Sequence, residues 1–170
     1  MTRNEIMAKN LLDFKEVMDN NGIPFAIIFG LLLGIVRDNN FIEGDTDIDV
    51  ACFRNTKFKY YLKMQKAKDD LIAKGFRTTL TEENCREDFL RDGEVIEVWW
   101  FQKIDKEWIF NNDIRYSEHF FDTLSDIDFL STKFKVSHDP KLMLDATYED
   151  WHTPLKKKDV RYVFNRTKIK

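Results

Sequence analysis

The chain has 170 residues, a net charge of −3 and a hydrophobic content of 43%, which is typical of one globular domain with an ordinary core. This balance of charge gives no electrostatic basis for non-specific binding to DNA or RNA, so we expect no nucleic-acid partner. The longest apolar run, residues 23–36, is too short for a transmembrane segment. With no visible signal peptide and only Cys52 and Cys85, the composition favours a reduced, cytoplasmic compartment.

Helices and strands alternate along the first half of the chain. The pattern Thr2-x-x-Glu5 is a capping box at the start of the first helix. Asn55 or Thr56 is the expected cap of a later helix, for which Gly75 is the stop signal. In order, the predicted elements are a helix to residue 20, a strand over 25–29, a short helix or turn over 31–37, a strand over 47–53 and a helix reaching residue 74.

The second half is predicted to be richer in strands. Asp92-Gly93 is a strong signal for a two-residue hairpin turn. The elements predicted here are strands over 76–80, 94–101 and 108–110, a strand pair within 129–136 and a helix over 141–147, with a loosely held tail from about residue 155. This order predicts an α/β fold, in which a mixed sheet is flanked by helices in a single domain over residues 1–170.

Three aspartates, Asp45, Asp47 and Asp49, alternate with other residues at the start of the second predicted strand. Because successive side chains of a strand point to opposite faces, this spacing would place the three carboxylates on one face. Like charges so close together repel and raise each other's pKa unless a cation lies among them. Carboxylate oxygen is the ligand that Mg²⁺ prefers, so the pattern predicts a metal site. The simpler interpretation is an acidic loop.

Two further features precede and follow these aspartates. Upstream, Gly30 and Gly34 would let the backbone N–H groups of a turn, including that of Leu31, approach a phosphate closely. Arg37 either pairs with a phosphate or forms a structural ion pair with a neighbouring aspartate. Downstream, Glu97 lies in a predicted strand whose neighbouring residues are apolar. Its carboxylate either lies on the solvent-exposed face of an edge strand or has a functional role.

These residues resemble the LicD/fukutin family of the nucleotidyltransferase superfamily. The matching positions of the first motif are Gly30, Leu32, Leu33, Gly34, Arg37, Ile42, Asp45, Asp47, Ile48 and Asp49. A second match near the C-terminus includes Leu144, Tyr148, Asp150, Trp151 and Pro154. The chain departs from the family pattern at Leu31, where a small hydroxyl residue is usual, and at Glu43-Gly44, where Pro-Trp is usual.

The resemblance implies a nucleotidyltransferase-like fold and a metal-dependent reaction. Asp47 and Asp49 would be catalytic and would bind Mg²⁺, for which Mn²⁺ could substitute. Asp45 would be a further ligand or would orient one. Glu97 matches the third acid of the family, which either completes the metal shell or takes the proton from an attacking hydroxyl. Gly30, Leu31, Gly34 and Arg37 would bind substrate.

The reaction that the resemblance implies moves a phosphoryl-alcohol group, such as phosphocholine, from a CDP-linked donor to a hydroxyl of a glycan or glycolipid such as lipopolysaccharide, releasing CMP. One alternative is transfer of NMP from an NTP to a small molecule or protein. That reaction needs a basic cluster, for which Arg37, Arg86 and Arg91 are the candidates. Another alternative is an inactive nucleotide-binding module. Tyr148 and Trp151 could frame a base or an acceptor, or could simply pack in the core.

Overall fold

The computed structural model describes residues 1–54, 57–80, 85–111, 114–155 and 159–163, with only the backbone described at residue 58. In chain order the elements are α1 (Arg3–Asn20), β1 (Phe25–Ile27), α2 (Phe29–Asp38), β2 (Asp47–Phe53), α3 (Phe58–Ala73), β3 (Arg77–Leu80), β4 (Arg86–Arg91), β5 (Glu94–Ile104), β6 (Glu107–Phe110), β7 (Ile114–Ser117), a short 3₁₀ turn (Glu118–Phe120), β8 (Ser125–Phe129), β9 (Thr132–Val136) and α4 (Pro140–Thr147).

A mixed sheet forms the centre of the molecule, with the strand order β1-β2-β5-β4-β3. β2 and β5 are parallel, whereas the other neighbouring pairs of this sheet are antiparallel. β6 extends the sheet by pairing with the far end of β5, and β7 pairs with β6. β8 and β9 form a separate hairpin. The predicted α/β fold with a mixed sheet is therefore confirmed.

The helices lie on both faces of this sheet. α1 and α3 cover one face, where the buried ring of Phe14 packs edge-on against Phe25 at 5.2 Å and near Phe89 at 6.0 Å. α2 packs against β2 on the opposite face, and α4 packs against α2. The parallel connection between β2 and β5 runs through α3, β3 and β4. Among the described helices, none has the length and apolarity needed to cross a membrane.

Several local signals act as the sequence predicts. The Thr2 hydroxyl accepts a hydrogen bond from the Glu5 N–H at 3.3 Å, and the Glu5 carboxylate accepts one from the Thr2 N–H at 2.6 Å, which completes the capping box. Gly75 ends α3 with φ = +90°. The hairpin turn between β4 and β5 has φ = +54° at Asp92 and +85° at Gly93, values that favour this residue pair.

Some predicted boundaries are wrong. The strand predicted over 25–29 ends at Ile27, because the chain turns into α2 through Phe29, whose φ is +47°. α3 begins at Phe58, and its N-cap residue, Lys57, makes no capping bond with its side chain. The predicted caps at residues 55 and 56 lie outside the described residues. The strand pair predicted within 129–136 is also misplaced, because β8 begins at Ser125. The sequence prediction includes no strand range for β4 or β7.

The described part of the predicted tail makes backbone contacts with the end of α4. The Glu149 N–H donates to the Arg161 carbonyl at 3.0 Å, and the Val163 N–H donates to the Thr147 carbonyl at 2.9 Å. Residues 159–163 therefore form part of the folded structure. Residues 156–158 and 164–170 lie outside the described part of the chain.

Gly34 lies inside α2 at a close approach between the helix and the segment that follows it. A Cβ at this position would lie 2.5 Å from the backbone oxygen of Asn40 and 3.1 Å from the Ile42 side chain. Only a residue without a side chain fits here unless the backbone moves.

We expect Gly34→Ala to destabilise the protein by about 1–3 kcal/mol, the usual cost of overpacking a core. Helix propensity alone predicts the opposite sign, a gain of about 1 kcal/mol, because alanine favours a helix interior more than glycine does. Urea denaturation of the wild type and the variant decides between the two effects. A variant that is more stable than the wild type would contradict the close approach.

Candidate active site

Three carboxylates converge where β2 and β5 lie side by side. The parallel register pairs Asp49 directly with Glu97, and Asp47 lies two residues before Asp49 on the same face of β2. One carboxylate oxygen from each of the three residues lies within 4.8 Å of the others. Ligand oxygens on opposite sides of one Mg²⁺ are roughly 4 Å apart, so the spacing fits joint coordination of a divalent cation after a small side-chain adjustment.

Asp45 lies outside the close carboxylate group, although the alternating spacing predicts it on one face with Asp47 and Asp49. β2 begins at Asp47, so Asp45 lies in the preceding turn, where its N–H donates to the Ile42 carbonyl at 3.1 Å. Its carboxylate accepts a hydrogen bond from the Thr46 N–H at 3.1 Å, and the residue lines the same cleft as the three acids. The third member of the close carboxylate group is therefore Glu97 rather than Asp45. Metal binding by Asp45 stays a prediction.

Asp49 is the most buried of the three acids, with 8% of its surface exposed. Its two oxygens accept hydrogen bonds from different donors, the Gly30 N–H at 3.3 Å and the Trp99 indole N–H at 3.1 Å. Burial, followed by the negative charges of Asp47 and Glu97, raises the pKa of Asp49 to about 8, although the bond from Trp99 acts in the opposite direction. A nearby cation would stabilise the ionised carboxylate of Asp49 and so lower this pKa.

Glu97 has a cationic partner, Arg86, for which the sequence predicts only a place in a phosphate-binding cluster. The guanidinium of Arg86 lies 2.9 Å from the Glu97 carboxylate and 2.8 Å from that of Asp88. It also lies over the Trp99 ring, 5.3 Å from the ring centroid. The two-residue turn predicted at 92–93 fixes the register of β4 against β5. In that register Asp88 faces Glu97 and Arg86 faces Trp99, so the predicted turn implies that these residues are neighbours.

The predicted phosphate-binding turn is the first part of α2. Gly30 lies at the second position of this helix and lines the cleft, and a Cβ there would lie 2.5 Å from the carboxylate oxygen of Asp45. Leu31 is only 2% exposed and Gly34 is buried inside the helix, and neither lines the cleft. The structure therefore does not bring these two residues to the cleft, and substrate binding by either stays a prediction.

Arg37 lines the cleft from the last turn of α2 and pairs with Asp38 at 2.7 Å. Its guanidinium also donates to the Trp151 carbonyl at 3.4 Å. The ion pair with Asp38 is one of the two alternatives that the sequence left open, and it lowers the pKa of Asp38. Binding of substrate by Arg37 stays a prediction.

The acids lie in a cleft of about 560 Å³. The charged side chains among its described lining are the carboxylates of Glu43, Asp45, Asp47, Asp49, Glu97 and Asp150 and the guanidinium of Arg37. Aromatic and aliphatic side chains form the rest of the wall, including Tyr148 and Tyr162, whose rings lie 5.1 Å apart. Trp151 packs instead beside the cleft, where its indole N–H donates to Asp145 at 2.7 Å. A larger cavity of about 690 Å³ lies on the other face of the sheet, away from the acids.

Comparison with known proteins agrees with this site. Residues 22–139 match the model of the family described as LicD/FKTN/FKRP, nucleotidyltransferase domain, and this segment includes all three acids. The chain belongs to this family. No curated protein sequence matches it significantly.

Two solved structures of ANT(2'')-Ia show the same fold. The first is a solution structure of this antibiotic-resistance factor, described as showing substrate-regulated conformation dynamics. Its TM-score is 0.56 at 9% identity, over 79% of this chain and 66% of that chain. The second is the crystal structure in complex with adenylyl-2''-tobramycin, with a TM-score of 0.54 at 10% identity, over 78% of this chain and 69% of that chain. Family and fold together support assignment of this chain as a transferase with a nucleotidyltransferase fold.

Asp49 should make the stability of the metal-free protein depend on pH. Its folded-state pKa of about 8 lies above the ordinary value of 3.8, so the unfolded chain releases this proton at lower pH than the folded chain does. The contribution of Asp49 to the free energy of unfolding therefore falls as the pH rises from about 4 to about 8, by up to about 1.4 kcal/mol per pH unit. In EDTA, we expect Asp49→Asn to remove this decline, as measured by urea denaturation across that range.

The matched control is Asp128→Asn, because Asp128 is 81% exposed and pairs with Lys133 at the surface. We expect this variant to keep the slope of the wild type. If the free energy of unfolding changes with pH equally in Asp49→Asn and in the wild type, the raised pKa of Asp49 is contradicted.

Proposed function

We propose that this chain is a divalent-metal-dependent transferase that moves a phosphoryl-alcohol group from a CDP-linked donor to a hydroxyl of a glycan or glycolipid. The observation that carries this proposal is the group formed by Asp47, Asp49 and Glu97 at one end of a large cleft in a chain of the LicD/FKTN/FKRP family. Phosphocholine is the donor group that we would test first.

In this proposal Asp47 and Asp49 have a different role in the reaction from Glu97. Asp47 and Asp49 would hold a Mg²⁺ or Mn²⁺ ion, which when bound neutralises negative charge on the donor phosphates. A new bond forms between the acceptor oxygen and the phosphorus that carries the alcohol, while the bond from this phosphorus to the oxygen of CMP breaks and leaves its electron pair on CMP. Glu97 either completes the metal shell or takes the proton of the acceptor hydroxyl.

The charge of the cleft supports a CDP-linked donor over a triphosphate. Arg37, the cation of the described lining, is already paired with Asp38. Of the other candidate arginines, Arg86 is paired with Glu97, and Arg91 donates to Asp13 at 2.6 Å. A triphosphate brings more negative charge into this acidic cleft than a diphosphate diester does, and would need more cationic partners.

Transfer of NMP from an NTP is the second candidate. The observation that favours it is the likeness to the structure of ANT(2'')-Ia in complex with adenylyl-2''-tobramycin, which holds a nucleotidyl group joined to its acceptor. The two reactions differ in the product that leaves, because phosphoryl-alcohol transfer releases CMP whereas NMP transfer releases pyrophosphate.

Thermal shift in the presence of Mg²⁺ tests the donor. We expect CDP-choline or CDP-ribitol to stabilise the protein more than CTP or ATP does, and EDTA to abolish the shift. A ligand that binds only the native state at a hundredfold excess over its dissociation constant adds about 2.7 kcal/mol to stability, so a true donor gives a clear shift. A larger metal-dependent shift with an NTP, together with pyrophosphate on turnover, would favour NMP transfer instead.

We also expect Asp47→Asn to abolish transfer while leaving the fold intact, because the change removes a metal-binding oxygen and relieves repulsion between carboxylates. Activity is measured as CMP release from the donor that stabilises the wild type. Asp128→Asn is the matched control, since it changes an exposed, lysine-paired aspartate outside the cleft and should leave the rate unchanged. A fully active Asp47→Asn variant in Mg²⁺ would overturn the site assignment.

A further inference from the structure

The Trp99 side chain contacts Asp49 directly and lies against Arg86, the cationic partner of Glu97. It lies on β5 two residues after Glu97, on the same face of the sheet, and its backbone is paired with that of Ala51 on β2. From there the indole N–H reaches back to Asp49 at 3.1 Å. One side chain therefore bridges the two strands that carry the acids.

The bond from Trp99 fixes the direction in which the Asp49 carboxylate faces. Its indole N–H holds Oδ1, and the Gly30 N–H holds Oδ2 at 3.3 Å, so each oxygen is tied to a different rigid element. Rotation of the carboxylate would break one bond or both. Each oxygen keeps further lone-pair capacity for a cation, and the other two acids of the group lie within 4.8 Å.

The position of the indole is itself fixed by packing. The rings of Phe29 and Phe110 lie 6.0 Å and 5.6 Å from it, both in edge-to-face arrangements. On the remaining side the guanidinium of Arg86 lies 5.3 Å from the ring centroid while it pairs with Glu97 at 2.9 Å. The indole therefore supports the cationic partner of Glu97 as well as Asp49 itself.

We propose that Trp99 is a positioning residue for the metal site, which orients Asp49 through its indole N–H and supports Arg86 beside Glu97 through its ring. This inference rests on the proposed function, because it assumes that the three acids bind a divalent cation. Groups that hold metal ligands in place commonly change metal affinity or activity by 10- to 100-fold when they are mutated.

Trp99→Phe tests the inference, because it removes the N–H donor and retains an aromatic ring for Phe29, Phe110 and Arg86. The matched control is Trp100→Phe, since Trp100 is the next residue on β5 and lines the cavity on the opposite face of the sheet. The readout is the dissociation constant for Mn²⁺ alone, measured by electron paramagnetic resonance, with circular dichroism and thermal denaturation in EDTA to check folding.

We expect Trp99→Phe to weaken Mn²⁺ binding by 10-fold or more, and Trp100→Phe to bind within 2-fold of the wild type. Binding by Trp99→Phe within 2-fold of the wild type would overturn the positioning role while leaving the proposed function intact. Failure of the wild type to bind Mn²⁺ would overturn the metal site and with it the proposed function, so the two failures are distinguishable.

A measurement on the wild type keeps the inference testable if Trp99→Phe does not fold. The chain contains four tryptophans, so a sample with ¹⁵N-labelled indoles should give four N–H resonances, and that of Trp99 can be assigned by comparison with conservative variants of the other three. We expect the Trp99 resonance to shift most when Mg²⁺ is added, because its acceptor becomes a metal ligand. An unchanged Trp99 resonance in a sample saturated with Mg²⁺ would contradict the inference.

Discussion

The parallel pairing of β2 with β5 is the constraint on which the rest of the site depends. This register puts Asp49 directly beside Glu97. The antiparallel pairing of β5 with β4 then adds Asp88 to the same row. Three acids side by side on adjacent strands are unfavourable because like charges on neighbouring strands repel. The fold must therefore supply positive partners for this row of acids. The partners that it supplies differ between the β4 side and the β2 side of the row.

On the β4 side of the row, the protein supplies its own cation. Arg86 lies within salt-bridge distance of both Glu97 and Asp88. On the β2 side, the donors to Asp49 among the described residues are the neutral N–H groups of Gly30 and Trp99, and burial together with its acidic neighbours raises its pKa to about 8. Among the described contacts, the charge deficit of the row therefore lies at Asp49, which belongs to the pair proposed to bind the metal.

A second Asp-Ile-Asp sequence in the same chain shows that the motif does not create this deficit by itself. Asp126 and Asp128 alternate along β8 as Asp47 and Asp49 do along β2. Both are well exposed, and each pairs with a lysine of β9, Asp126 with Lys135 at 2.8 Å and Asp128 with Lys133 at 3.1 Å. Context rather than spacing separates a candidate metal site from a solvated ion-pair ladder.

The same difference between a local motif and its tertiary context determines how much of the molecule the sequence predicts. Most of the order of helices and strands follows from local signals, such as the Thr2–Glu5 capping box and the hairpin turn at Asp92-Gly93, because short-range hydrogen bonds determine them. The convergence of Glu97 with Asp47 and Asp49 depends on pairing between strands about 50 residues apart, which local propensity does not encode. It was anticipated only through the family resemblance.

The corrections have the same origin. The sequence pattern predicts Gly34 in a phosphate-binding turn, whereas the close approach of the Asn40 carbonyl, a tertiary contact, gives the reason for a glycine at this position. The alternating spacing predicts Asp45 on one face with Asp47 and Asp49, whereas Asp45 lies in the turn two residues before β2 begins. Arg86 was considered for phosphate, and its role beside Glu97 follows only once the hairpin register and the parallel pairing are combined.

The most direct test of the central claim is a crystal structure of the protein soaked in Mn²⁺, with an anomalous difference map recorded at the manganese edge. The account predicts a peak roughly 2 Å from carboxylate oxygens of Asp47 and Asp49, on the side that faces Glu97. A map from a fully soaked crystal with no peak at these residues, or with its peak at another group of acids, would contradict it.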